Sequence, residues 1–81
     1  MFGRFLRHML DRHQLTQSQL SRMTRGEIDP GMINHCVNGH DGYQNPTLKL
    51  LDTYARAFGM KLSQFTREFE EYREKFIEAN R

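Results

Sequence analysis

The sequence predicts one all-α domain of five helices, and three observations carry that prediction. Its 81 residues suffice for a single compact domain and leave no room for a second lobe around a substrate cleft. Its apolar residues include eight Leu, six Phe and five Met against three Ile and one Val. Unbranched side chains lose little rotamer freedom in a helix, whereas the β-branched residues that suit strands are scarce here. The apolar positions also recur at spacings of three and four between capping residues, as in helices buried on one face. At 37% apolar and 27% charged, the composition is that of neither a disordered polyampholyte nor a membrane protein.

Phe2, Phe5, Leu6, Met9 and Leu10 form the stripe of a first helix, with Arg4, Arg7, Asp11 and Arg12 mostly on its other side. Thr16 caps a second helix of roughly residues 16 to 24, with Gln19 at the reciprocal capping-box position and Leu15 and Leu20 as a hydrophobic staple. Thr24, Arg25, Gly26 and Glu27 make a polar break, after which the same grammar repeats. Ile28 lies outside a third helix of about residues 30 to 38, Asp29 caps it, Pro30 takes its first position and Ile33 completes a second staple. Gly39 is placed where a left-handed residue ends it.

The stretch from His40 to Gln44 is loop by composition, and Asn45 followed by Pro46 opens a fourth helix. Leu48, Leu51, Tyr54, Ala55 and Phe58 line its apolar face, and Gly59 stops it. A fifth helix from about Leu62 carries Leu62, Phe65, Phe69, Tyr72, Phe76 and Ala79 along a heptad-like seam.

Residues 1–61 hold eight basic and five acidic side chains, net +3, and residues 62–81 hold four and five, net −1. A mildly basic body suits a polyanion. Cys36 is the lone cysteine, so no intrachain disulfide forms and a reducing cytoplasm is the expected setting. No apolar run approaches a membrane span or a signal-peptide core, so no membrane partner is expected.

His8, His13, His35 and His40 with Cys36 are metal ligands by type only. His35 and Cys36 are adjacent on one helix and so point in different directions, and the two do not easily share one tetrahedral ion. No metal and no other cofactor is expected. Glu68, Glu70, Glu71, Glu74 and Glu78 read as a solvated helix face, with Arg67 and Lys75 each four residues from Glu71. Without a nucleophile beside a base, a glycine-rich phosphate loop or a metal signature, enzymatic activity is not expected.

Two short helices across a tight break, the second opened by Asp-Pro and closed by a glycine, are the ingredients of a helix-turn-helix. At Leu15-Thr16-Gln17-Ser18-Gln19-Leu20, at Ile28, Ile33, Cys36 and Gly39, at Asn45-Pro46-Thr47-Leu48 and at Phe58-Gly59-Met60, the chain resembles the lambda-repressor-like, Cro-type helix-turn-helix family. The resemblance spans roughly residues 3–66. It implies a DNA-binding domain over residues 1–66 and a C-terminal helical extension over residues 67–81.

By the same resemblance, Gln17 matches a residue that holds a DNA phosphate or braces the recognition helix, and Asn38 a position that often binds phosphate. Pro30, Gly31, Asn34 and His35 match the positions that face base edges, and of these Asn34 and His35 have side chains able to read them. The turn is about two residues longer than usual, which puts Arg25 within possible reach of phosphate. The loop after Gly39 is about three residues longer, which makes His40, Tyr43 and Gln44 candidate backbone contacts. The implied DNA-binding set is therefore Gln17, Arg25, Gly31, Asn34, His35, Asn38 and His40.

Phe69, Tyr72 and Phe76 extend beyond the usual end of that fold. Aromatic side chains bury about 150 Å² or more each, so three left exposed make a patch large for a soluble monomer. The expectation is a two-fold homodimer through the fifth helix, with two recognition helices about 34 Å apart on a palindromic site. The alternative is that this helix folds back on the first, where Phe2, Phe5 and Met9 offer an apolar face. The expected function is sequence-specific binding of double-stranded DNA as a small prokaryotic or phage transcriptional regulator, in the main a repressor. An antitoxin-type autorepressor, with a regulatory protein partner, is a variant of it. A protein-interaction module that kept the fold but lost base reading is the rival.

Overall fold

A computed structural model describes residues 1–79 of the chain. It contains α1 (Phe2–Arg12), α2 (Gln17–Met23), α3 (Pro30–Val37), a 3-10 turn (Asp41–Tyr43), α4 (Leu48–Ala57) and α5 (Leu62–Ala79), with no strand among the described residues. The protein is all-α.

The helix starts follow local chemistry. At α2 both arms of the capping box are made: Gln19 N donates to Thr16 Oγ1 at 3.0 Å and Thr16 N to Gln19 Oε1 at 2.8 Å. Asp29 Oδ1 accepts from Met32 N at 2.8 Å to open α3, with Pro30 in its first turn. The start of α4 departs from expectation. Its cap is Thr47, whose hydroxyl accepts from Leu50 N at 3.2 Å, so Asn45 and Pro46 precede the helix. Leu48, expected on the apolar face, is consequently 68% exposed, while Thr53, Tyr54, Ala55 and Ala57 turn inward.

The first four helices share one way of ending. In each, the amide two residues past the cap reaches back to a carbonyl five residues earlier: Leu15 to Leu10, Gly26 to Ser21, His40 to His35 and Met60 to Ala55. The preceding amide closes the shorter bond from Gln14 to Asp11, Arg25 to Arg22, Gly39 to Cys36 and Gly59 to Arg56. These are Schellman motifs, and each needs one left-handed residue. Gly39 (φ 82°) and Gly59 (φ 71°) supply it without strain, whereas Gln14 (φ 54°) and Arg25 (φ 58°) adopt it against the steric preference of an L side chain.

Phe2, Phe5, Leu6, Met9 and Leu10 of α1 meet Leu20, Ile28, Ile33, Cys36, Tyr54, Phe58 and Phe65 in one core. α1 packs on α3 and α5, α2 on α3, and α4 on α5. No helix is long and apolar enough to cross a membrane among the described residues.

The fifth helix packs on the first, as in the alternative that the sequence left open. α5 runs unbroken across residues 66 and 67, and Phe69 and Tyr72 of the supposed extension pack on the core. Phe69 lies 5.4 Å from Phe2 and 5.1 Å from Phe5 between ring centres, Tyr72 lies 5.7 Å from Phe5, and Arg4 sits 4.9 Å over the Phe76 ring. Arg12 and Glu68 clasp the same two helices at 3.2 Å. The helix folds back on α1 because α1 offers an aromatic stripe at matching spacing. Phe69, Tyr72 and Phe76 are each half-buried by this packing, so part of every ring still faces outward. The last two residues of the 67–81 extension lie outside the described residues.

Candidate nucleic-acid interface

The α2–α3 pair is held by buried hydroxyls that periodicity gave no reason to single out. Ser21 Oγ donates to Ile28 O at 2.6 Å, Thr24 Oγ1 donates to Ser21 O at 2.6 Å, and Ile28 N donates to Thr24 Oγ1 at 3.2 Å. The long turn thus closes on itself and buries Ile28. From α4, Thr53 Oγ1 donates to Glu27 Oε2 at 3.0 Å, which ties the turn to the body of the domain. Within the turn, Arg25 and Gly26 form a left-handed pair (φ 58° and 81°).

The other end of α3 is anchored to α1 by Gly3 and Gln44. Gln44 Oε1 accepts from the Met1 amine at 3.0 Å and from Gly3 N at 2.9 Å, capping an α1 start that has no local side-chain cap. Its Nε2 donates to Cys36 O at 2.9 Å and His40 O at 3.2 Å. Gln44, expected as a DNA-backbone contact, is instead engaged internally, because its amide is the one group that satisfies orphan donors of α1 and carbonyls of α3 together. Gly3 allows the approach: a Cβ there would stand 1.9 Å from Cys36 O.

Between these anchors α3 buries Ile33 and Cys36 and exposes Pro30, Gly31, Asn34, His35 and Asn38. Asn38 Nδ2 donates to Asn34 Oδ1 one turn earlier, which leaves Asn34 its amide NH2 for an outside acceptor. His35 stacks on Tyr43 with ring centres 5.3 Å apart, and its Nδ1 lies 3.1 Å from Nδ1 of His40. Nε2 is then the ring atom through which His35 would meet a base. Gln17 opens α2 half-buried, and Arg25 is exposed in the turn, where it lines a groove with Glu27 and Arg56.

Asn34, His35, Asn38 and His40 therefore gather on α3 and its exit, whereas Arg25 belongs to the turn before it and Gln17 to the head of α2. α3 itself carries no Lys or Arg. Arg4 and Arg7, placed by the sequence on the polar side of the first helix, line one groove with Asn38 and Gly39, and Asp41 lines it too. A three-dimensional neighbourhood, not a local pattern, brings these arginines to the end of α3. Cys36 faces inward, donates to Tyr43 O at 3.4 Å, and burial pushes its thiol up to about 11, so it stays a neutral core thiol. No family model, curated protein or solved structure matches the chain.

Proposed function

We propose that the chain is a helix-turn-helix protein of lambda-repressor-like architecture that binds double-stranded DNA with α3 in the major groove. One observation carries the reading: a short helix, braced at both ends, exposes a polar row of Asn34, His35 and Asn38. An α-helix fits the major groove, where amide and imidazole groups meet base edges, while charge held off the helix meets phosphate. Gln17, Arg25 and Asn38, with Arg4 and Arg7 at the far end, supply the phosphate contacts, and the His40 amide is already spent on the helix end. With bases read by two or three side chains, the chain acts as a small cytoplasmic regulator that represses by occupying its operator, including that of an operon encoding a protein partner. A homodimer on a palindromic site remains part of the proposal, through the half-buried edges of Phe69, Tyr72 and Phe76 on α5.

The rival reading, a protein-interaction module, draws on an apolar groove between α3 and α4 lined by Met32, Tyr43, Pro46 and Leu50. Fluorescence anisotropy against sheared genomic DNA at about 50 and 200 mM salt, with the bound fraction sequenced, separates the two, because phosphate contacts make affinity fall steeply with salt. Salt-sensitive binding that enriches one sequence is expected. Replacing Asn34 and His35 together by Ala is expected to erase the enrichment while most total binding survives. Absence of binding at the lower salt sinks the DNA reading.

A further inference from the structure

We propose that His35 and His40 form a binding site for a first-row divalent transition-metal ion. The argument begins at the backbone. A Schellman motif brings together the side chains two residues past the cap and three before it, and an apolar contact commonly fills that place. The end of α1 puts Leu15 and Leu10 there and the end of α4 puts Met60 and Ala55. At the end of α3 the same two places hold His40 and His35. The end of α2 puts Gly26 and Ser21 there, so two of the four ends use an apolar pair and only that of α3 brings two imidazoles together.

Their geometry is that of ligands converging on a point. The Nδ1 atoms stand 3.1 Å apart and the ring centres 4.7 Å apart, with the planes inclined by 39°. The two nitrogens share a hydrogen bond whose donor is set by the tautomer, and the same two atoms are those an ion would bridge in place of that proton. Two imidazole nitrogens at about 2.0–2.1 Å from one tetrahedral zinc stand about 3.3 Å from each other, close to the separation found. Imidazole pairs suit Zn²⁺, Ni²⁺ and Cu²⁺ in preference to Mg²⁺ or Ca²⁺.

The pair is also held in place before any ion arrives. Tyr43 stacks on the His35 ring, Gly39 supplies the left-handed turn, and the His40 carbonyl accepts from Tyr43 N at 3.0 Å and Gln44 Nε2 at 3.2 Å. Both histidines are exposed, and no group of three or more His, Cys, Asp or Glu surrounds one point among the described residues. The ion consequently keeps water, or takes an outside ligand, at its remaining positions. The site does not depend on the DNA reading, and its test contains no DNA.

Zinc titrated into the full chain, followed by calorimetry and by nitrogen NMR of the histidine side chains, tests it. One ion per chain is expected, with shifts confined to Nδ1 of His35 and His40. Loss of one arm of a chelate removes its effective-concentration advantage, so His40→Gln and His35→Gln are each expected to weaken binding roughly a hundredfold. The double variant His8→Gln/His13→Gln binds as the parent chain does. Unshifted Nδ1 signals in the parent chain, shifts at His8 or His13 instead, or equal binding by His40→Gln each overturns the site, and the first two need no variant.

Discussion

Replacing Gly3 by Ala sets two physical effects against each other, and the packing of α1 on α3 decides between them. Helix propensity alone favours Ala by about 1 kcal/mol. The added Cβ, however, would lie 1.9 Å from Cys36 O and 2.8 Å from Cys36 C, where ordinary contact begins at 3.4 Å. Both obstacles are backbone, so no rotamer relieves them, and α1 must retreat from α3 by about 1.5 Å, an overpacking that costs about 1–3 kcal/mol. That retreat also strains the Gly3–Gln44–Cys36 bridge, whose two bonds of 2.9 Å contribute about 0.5–1.5 kcal/mol each. After the propensity gain, the net loss is about 3 kcal/mol, a large share of the stability of a small domain. In urea, with a slope of about 1.5 kcal/mol/M, the midpoint falls by about 2 M. Gly42→Ala is the control: nothing lies within 4 Å of its Cβ, so it is expected to be neutral or slightly stabilising. A Gly3→Ala chain as stable as its parent would refute the close approach of α1 and α3, and with it the anchoring of the proposed reading helix.

Gln14→Gly is expected to stabilise the domain by about 1 kcal/mol, because a left-handed φ of 54° ceases to be strained, and to raise Tm by about 4–8 °C. An unchanged or lower Tm contradicts that accounting. Phe69→Ala removes a ring packed on Phe2 and Phe5 and lowers stability by about 2–3 kcal/mol. A parent-chain midpoint that does not shift with protein concentration would remove the dimer through α5. Cys36 and Tyr54 are both held neutral by burial, the thiol up to about 11 from 9.0. A raised folded-state value means stability is complete below pH 9.0 and is lost as pH rises toward about 11, so alkaline titration of the unfolding free energy falls in that window and Cys36→Ser flattens part of the fall. A profile flat from neutral to alkaline pH would show the two groups to be solvated.

Much of the architecture was legible because its causes are local. The capping box of Thr16 and Gln19, the Asp29-Pro30 start and the glycines at 39 and 59 each act within one turn of chain, and the stripe of α1 needs only the helical period. Where local signals competed, sequence alone misplaced the outcome: Asn45-Pro46 and Thr47 are both good starts, and the hydroxyl that reaches Leu50 N set the register and left Leu48 outside. Of the proposed interface, the row on α3 was pointed to by the family resemblance. Its surroundings were not.

The sequence by itself determined the helices, their order and the polar face of the third, because these depend on neighbours within about four residues. Only the tertiary structure decided what covers the aromatic seam of α5, that Gln44 serves as a clamp instead of a surface contact, and that Arg4 and Arg7 flank the end of α3. Gln44 meets its partners in α1 across 41 and 43 residues of chain, and no periodic pattern encodes such a distance. The aromatic seam could be satisfied equally by a second copy or by α1. α1 covers part of the seam because it is covalently attached, hence always at high effective concentration, and its rings stand at the spacing the seam requires.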